Sequence, residues 1–196
     1  LELGGTVFEK IEIAGPGFMN FFLSQKFYSD VLKDVFACGE NYGKSDYGKG
    51  KKILVEFVSA NPTGPMHIGN ARGGAIGDCL ASVLDWAGYS VNREFYVNDA
   101  GNQIEKFATS LEVRYLQHFD SSVELPEDAY HGQDIVDHAE NFIAEYGDKY
   151  VNAQSSERRK ALVDYALPKN IAGLEKDLGR YRITYDKWFR ESTLHN

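Results

Sequence analysis

The 196-residue sequence has little cysteine, and its two cysteines, Cys38 and Cys79, lie far apart. Neither belongs to a CxxC pair, which argues against a zinc cluster and against a disulfide framework. No apolar run approaches the roughly 20 residues that a membrane-spanning helix needs, and no signal-peptide pattern opens the chain. These absences favour a reducing, cytoplasmic setting with no membrane partner and no protein-bound metal.

Basic residues are outnumbered as well, because 21 lysines and arginines against 29 aspartates and glutamates give a formal net charge of −8. This is the wrong sign for holding nucleic acid by the overall field, so such a partner would need a local basic patch or another domain. The residues that are present supply ample core, at 43% hydrophobic and 13% aromatic, which excludes a disordered chain. The first residue is not methionine, and we expect the chain to be a piece of something longer.

The first 50 residues predict a small α+β element followed by a linker. Apolar runs at 7–13 and 18–23 flank a Gly-Pro-Gly turn, which is typical of two strands. Ser24 is a candidate N-cap for a helix that closes near Gly39. Glycine and lysine then dominate residues 39–52, which indicates a linker before a second unit at 51–196.

The second unit begins with a βαβ pattern at residues 53–98. Residues 53–58 are apolar on both faces, which predicts a buried parallel strand, and 91–98 alternate as a second strand does. Between them a helix from about residue 70 to 87 ends before Gly88. Its predicted buried face consists of Ala71, Ala75, Ile76, Cys79, Leu80, Val83, Leu84 and Ala87. The expected fold class is therefore α/β, half of a Rossmann-like parallel sheet.

Helical patterns fill residues 102–179, which we interpret as a helical insertion on the βαβ core. The third of these patterns contains Pro168, which is expected to interrupt it, and ends at Gly179. Residues 181–185 are predicted to form a strand that returns to the sheet. The Trp188 segment is expected to pack in the core.

The loop between the first strand and its helix carries the chemistry. Ligands of open α/β sheets bind at the carboxyl ends of strands, where helix N-termini offer free N–H groups to anions. His67 and Asn70 lie three residues apart around that first turn, and Gly69 allows close approach of a ligand. A GxxxxGK[ST] loop is absent and no GxGxxG follows this strand, so neither a P-loop nor a dinucleotide fingerprint is supported.

The string His-Ile-Gly-Asn at 67–70 resembles the HIGH signature of class I aminoacyl-tRNA synthetases. The longer string at 55–73, VEFVSANPTGPMHIGNARG, resembles the bacterial arginyl-tRNA synthetase family. Further matches are GPGFMNF at 15–21, REFYVNDAG at 93–101, YHGQDI at 130–135 and DKWFRES at 186–192. The resemblance covers essentially the whole chain.

This resemblance implies an arginine–tRNA ligase that uses ATP, with Mg²⁺, to convert arginine to arginyl-adenylate and then to charge tRNA(Arg). It also implies that residues 1–50 belong to the end of an additional N-terminal domain. His67 and Asn70 would be catalytic and would stabilise charge on the departing pyrophosphate. The expected ATP contacts are Thr63, Gly64, His67, Gly69 and Asn70, and the expected arginine contacts are Glu56, Ser59, Ala60, Asn61 and Asn70.

Two departures from the family pattern stand out. Asn70 replaces the second histidine of the signature, which leaves neutral hydrogen bonding as its means of action. No KMSKS-like loop occurs, and no lysine precedes the signature in residues 63–66. We therefore expect the isolated chain not to charge tRNA.

Several alternatives stay open at this stage. Glu56 would either pair with the guanidinium of arginine or form a buried ion pair with Arg72 or Arg93. Asn98 and Asp99 would either contact a ligand or cap the following helix. For the chain as a whole, the alternatives are another HIGH-type nucleotidyltransferase and a non-catalytic module that binds tRNA or another partner.

Overall fold

The computed structural model describes residues 3–195, which form two units that divide between Asp46 and Tyr47. The first unit holds strands β1 (Phe8–Ala14) and β2 (Phe18–Leu23), which pair antiparallel as predicted. Helix α1 (Gln25–Cys38) follows, and its predicted N-cap is confirmed because Ser24 Oγ accepts from the Phe27 amide at 3.3 Å. A short 3₁₀ turn, Gly39–Asn41, ends the unit's regular structure.

A three-stranded sheet underlies the second unit. Strands β3 (Lys52–Glu56), β4 (Ser90–Val97) and β5 (Lys187–Arg190) lie in that order, and both pairings are parallel. Helix α2 (Ile68–Trp86) joins β3 to β4, so the predicted βαβ unit is confirmed. The expectation that β3 is buried on both faces is wrong, because Val55 is buried on one face while Leu54, on the opposite face, is 57% exposed.

The helical layer consists of α3 (Asn102–Phe119), α4 (Gln133–Tyr146) and α5 (Ser155–Arg180). Its core is formed by Phe107, Leu111, Tyr115, Ile135, Phe142, Leu162 and Ala166. Between residues 3 and 195, no helix is long and apolar enough to cross a membrane.

Helix α5 runs without interruption through Pro168, contrary to the sequence prediction. Its first half packs in the helical layer through Leu162 and Ala166, whereas Ile171 and Leu174 pack in the core beneath the sheet. A proline inside a helix costs about 3 kcal/mol. Burying four apolar side chains on the two sides of the proline outweighs that cost, since each contributes on the order of 1–3 kcal/mol.

The predicted returning strand at 181–185 is also wrong, because the strand that returns is β5, six residues later. Residues 181–182 form a turn in which Arg182 has a positive φ of 64°. Ile183 and Tyr185 alternate with polar residues, as in a strand, but they pack in the core from a segment without regular structure. Pairing starts only after Asp186, whose amide donates to the Arg93 carbonyl at 2.9 Å.

The buried face of α2 differs from the predicted one. Gly74, Gly77 and Ala81 face the core, while Ile76 and Leu80 are more than half exposed. The reason is the Phe57 ring, which follows β3 and lies directly against Gly77: a Cβ added there would be 2.3 Å from the ring. A helix with large side chains on this face would be held away from the sheet.

Glu112 joins α3 to α5. Its carboxylate is 7% exposed and accepts from Arg158 Nε at 3.0 Å and from Arg159 Nε at 2.6 Å. Ser155 Oγ donates to it as well, at 2.7 Å. Burial raises the pKa of Glu112, but these three hydrogen bonds outweigh burial and bring the pKa below its ordinary 4.5.

The close contact of α2 with Phe57 predicts opposite effects for two glycines of one helix. Gly77→Ala should lower the free energy of unfolding by about 1–3 kcal/mol, because the added methyl overpacks the ring. Gly73→Ala meets nothing within 4 Å and should raise it by up to about 1 kcal/mol through helix propensity. Urea denaturation of both variants provides the measurement. Equal effects at the two positions would contradict the packing described above.

The Glu112 network predicts a pH-dependent stability. Since its pKa is lower in the folded state, its stabilising contribution is complete above the unfolded value of 4.5 and disappears as the pH falls through the folded value. The stability gap between wild type and Glu112→Gln should therefore be constant from pH 7 to 5 and close below pH 4.5. Glu175→Gln, at an exposed position of α5, is the control and should show no comparable trend.

Candidate active site

A cavity of about 570 Å³ opens where β3 ends and α2 begins. This is the place at which parallel α/β sheets bind ligands. The cavity brings together most of the residues predicted from the sequence, namely Ser59, Ala60, Asn61, Thr63, Gly64, His67 and Asn70. Glu56 and Gly69 do not line it.

The backbone at the floor of the cavity is held in an unfavourable conformation. Val58 and Ser59 have φ values of 66° and 42°, a left-handed region that non-glycine residues rarely adopt. The Ser59 hydroxyl holds this turn by donating to Glu56 at 2.7 Å and accepting from the Tyr96 amide at 3.1 Å. Such strain costs about 1–3 kcal/mol and persists where surrounding bonds enforce it.

His67 and Asn70 cap the first turn of α2 reciprocally. The Gly69 amide donates to His67 Nδ1 at 3.1 Å, and the His67 amide donates to Asn70 Oδ1 at 3.0 Å. Because Nδ1 is an acceptor here, the neutral imidazole carries its proton on Nε2. A Cβ at Gly69 would lie 2.9 Å from the His67 imidazole, so a larger residue here would displace the capping side chain. Gly69 itself does not line the cavity.

The opposite wall comes from the helical layer, and sequence reasoning missed it. Gln103, Tyr130, Gly132 and Asp134 line the cavity from the starts of α3 and α4. The Tyr130 hydroxyl donates to Gln103 and lies 3.4 Å from Thr63 Oγ1, across the cavity. Residues 130–135 match the family pattern, but that match did not assign a function to any of them. The sequence signal that could have identified this wall is a glycine at the N-cap of both α3 and α4.

Three helices therefore begin at this cavity. Asn70 is the third residue of α2, Gln103 the second of α3 and Asp134 the second of α4. The N-caps of α3 and α4 are Gly101 and Gly132, which offer no side-chain acceptor to the first amides. The three helix dipoles favour an anion at this convergence, whereas the cap already uses the Gly69 amide and the Asp134 carboxylate, which also lines the cavity, opposes an anion.

Glu56 is placed differently from the sequence interpretation. Its side chain is exposed rather than buried, because Glu56 lies on the same face of β3 as the exposed Leu54 and opposite the buried Val55. Within the described residues it forms no ion pair with Arg72 or Arg93, so that alternative is wrong. Its partner is the Ser59 hydroxyl, through which it adjoins the cavity.

Asp99 ties the end of β4 to the residues after β5. Its carboxylate is 5% exposed and accepts from the Ser192 amide at 2.8 Å and hydroxyl at 2.9 Å. It therefore neither caps α3 nor lines the cavity, whereas the side-chain amides of Asn98 and Asn61 lie 3.3 Å apart. Trp188 stacks on Phe95 at 4.2 Å, which confirms its place in the core.

Tyr96 lies near the carboxylates of Glu56, Asp99 and Glu191. Burial raises the pKa of its hydroxyl, and the negative charge and hydrogen bonding of Glu191 raise it further. The Tyr96 hydroxyl is therefore protonated and neutral over the whole physiological pH range.

Comparison with known proteins identifies relatives of the whole chain. The family described as tRNA synthetases class I (R), catalytic domain, matches residues 32–158. Arginine–tRNA ligases of Caldanaerobacter subterraneus and Acetivibrio thermocellus are 59% and 57% identical to it over its full length. The chain spans about 35% of the length of these curated relatives.

Solved structures agree with this result. A crystal structure from Campylobacter jejuni, provisionally described as an arginyl-tRNA synthetase, matches 88% of this chain and 38% of its own with a TM-score of 0.75 at 33% identity. The Thermus thermophilus arginyl-tRNA synthetase matches 95% of this chain and 30% of its own with a TM-score of 0.54. At 22% identity, the latter shows a shared fold alone.

The reciprocal cap predicts that two substitutions of Asn70 differ in stability. Asn70→Ala removes the acceptor for the His67 amide and should lower the free energy of unfolding by about 1 kcal/mol. Asn70→Asp keeps an acceptor and places negative charge at a helix start, so it should match wild type. Urea denaturation compares the three proteins, and hydrogen exchange of the His67 amide reports the bond itself. The same loss in both variants would show that the bond contributes nothing.

Proposed function

Because the chain belongs to the class I (R) tRNA synthetases, we propose that it supplies the nucleotide- and arginine-binding cavity of an arginine–tRNA ligase. In this reaction the carboxylate of arginine attacks the α-phosphate of ATP, which yields arginyl-adenylate and releases pyrophosphate. The terminal ribose hydroxyl of tRNA(Arg) then takes the arginyl group and releases AMP. The activation step is the one for which the described residues form a site.

The observation that carries this proposal is the convergence of three helix starts on the cavity that holds His67 and Asn70. Polyphosphate develops negative charge as pyrophosphate leaves, and fixed donors stabilise it without reorganisation. His67 Nε2–H and Asn70 Nδ2 are the donors left over after the cap is formed. Thr63 and Gly64, on the same loop, are the further proposed ATP contacts.

We assign the amino acid to the end of the cavity nearest β3. Ser59, Ala60 and Asn61 line this end, and Asn70 faces it from α2. Glu56 joins through the Ser59 hydroxyl and is the proposed partner of the guanidinium, for which a carboxylate offers a bidentate match. Lysine, with a single ammonium, should bind poorly.

The remaining assignments belong to the same proposal. ATP enters as its Mg²⁺ complex, with the metal held by the phosphates, and arginine and tRNA(Arg) are the other partners. A net charge of −8 offers tRNA no general attraction, so the tRNA contact of the whole ligase lies largely outside this cavity. Residues 1–50 belong to an additional N-terminal domain, and the setting is the cytoplasm.

A chimera tests this function. The 196 residues replace the matching segment of the Caldanaerobacter ligase, which is 59% identical, and exchange of pyrophosphate into ATP is measured with each amino acid. Arginine should support exchange and lysine should not. Asn70→Asp should lower the exchange rate about a hundredfold, because a carboxylate replaces a donor next to the phosphates.

Asn152→Asp is the matched control, since it adds the same charge at an exposed position and should leave exchange unchanged. A folded chimera that responds to another amino acid, or to none, contradicts the proposal. So does an Asn70→Asp chimera with the exchange rate of the parent.

A further inference from the structure

Asn170, on α5, reaches across to the loop that carries the cavity residues. Its Nδ2 donates to the carbonyl of Pro62 at 2.9 Å. Pro62 is less than 2% exposed, so water has no access to the residue. The bond from Asn170 therefore satisfies a carbonyl that would otherwise be buried and unpaired.

His138, on α4, fixes the orientation of that amide. His138 Nε2 lies 2.7 Å from Asn170 Oδ1, and its ring packs edge-on against Phe107 at 6.4 Å. Since Asn170 uses its nitrogen on Pro62, its oxygen must accept, and His138 must carry a proton on Nε2. A rotated amide would lose both bonds, so the chain His138–Asn170–Pro62 has one arrangement.

Among residues 3–195, the Asn170–Pro62 hydrogen bond is the shorter of two that join the loop to the helical layer at the cavity. The other, between Thr63 Oγ1 and the Tyr130 hydroxyl, is 3.4 Å long and correspondingly weak. Pro62 immediately precedes Thr63 and Gly64, so its carbonyl and the Thr63 amide belong to one peptide group. A hydrogen bond that fixes the Pro62 carbonyl therefore also fixes the plane of the peptide group that leads into Thr63 and Gly64.

We infer that Asn170 and His138 are positioning residues that set the separation between the loop wall of the cavity and the wall formed by α3 and α4. They contact no substrate and act through Pro62. The link to ATP binding rests on the function proposed above, whereas the effect on the loop does not. The helical layer is accordingly part of the site's construction.

Asn170→Asp removes the donor and keeps the shape of the side chain, while the negative charge that it adds requires a charge control. The carboxylate has the same shape and still accepts from His138, but it cannot donate to the Pro62 carbonyl. The chain itself, uniformly labelled with ¹⁵N, is titrated with ATP and followed by NMR. We expect the Thr63 amide nitrogen to move upfield, as loss of a bond to the same peptide group requires, and the ATP dissociation constant to rise about tenfold. Thermal stability should fall, because the buried Pro62 carbonyl loses its donor while the bond to His138 remains, and the amide spectrum shows whether the variant is folded during the titration.

Two further variants sharpen the result. Asn152→Asp adds an equal charge at an exposed position and should change neither readout. His138→Gln keeps a side-chain donor toward Asn170 and should restore most of the affinity that His138→Leu loses. A merely structural role would make both His138 variants equally weak in ATP binding.

The inference is overturned if Asn170→Asp leaves the Thr63 resonance and the ATP affinity unchanged, or if Asn152→Asp reproduces its effects. Failure of the wild-type chain to bind ATP would count against the proposed function instead. In that case the Thr63, Gly64 and His67 amide shifts of Asn170→Asp still decide whether Asn170 positions the loop.

Discussion

Burial of one long helix on both sides of a proline is the constraint on which the rest of this structure depends. The first half of α5 completes the core of the helical layer, and the second half completes the core beneath the sheet. Neither core is closed without it. Because α5 is shared, the helical layer cannot shift relative to the sheet without opening one of the two cores, and the cavity between them inherits that rigidity.

Hydrogen bonds then fix the loops around the cavity, after apolar packing has set the positions of the helices and the sheet. Asn170 follows Pro168 by two residues, at the transition between the two halves of α5, and contacts both α4 and the loop. On the other side of the sheet's carboxyl edge, Ser59 holds a strained turn and Asp99 holds the residues after β5. Strain of this kind would relax in a flexible loop, so its presence at the cavity indicates a surface prepared before any ligand arrives.

The residues of the signature serve the fold and the site together. His67 and Asn70 each use one side-chain acceptor to cap the start of α2. Their donors, Nε2–H of His67 and Nδ2 of Asn70, are not used by the cap. Under the proposed function, this division explains how asparagine can occupy the fourth position of the signature, since capping needs an acceptor and phosphate binding would need a donor, and an amide has both. A carboxylate or an alanine at this position would supply only one of these properties, or neither.

Local patterns were sufficient for much of this chain. The β1–β2 hairpin, the Ser24 cap, the βαβ order and the loop that lines the cavity all follow from interactions within a few residues, which the sequence displays directly. The class of the fold and most of the loop wall could therefore be predicted from it.

The remainder was decided by packing between distant segments. Periodicity shows that α2 has an apolar face, but the ring of Phe57 selected the glycine face instead, and no local pattern reveals that choice. Likewise, the exposure of Glu56 depends on which face of β3 the core covers, and the continuity of α5 through Pro168 depends on two cores that α5 itself joins. The second wall of the cavity, with Gln103, Tyr130 and Asp134, exists only because three helix starts separated by up to 65 residues meet in space. Such meetings depend on contacts between residues far apart in the chain, and the tertiary structure alone determines them.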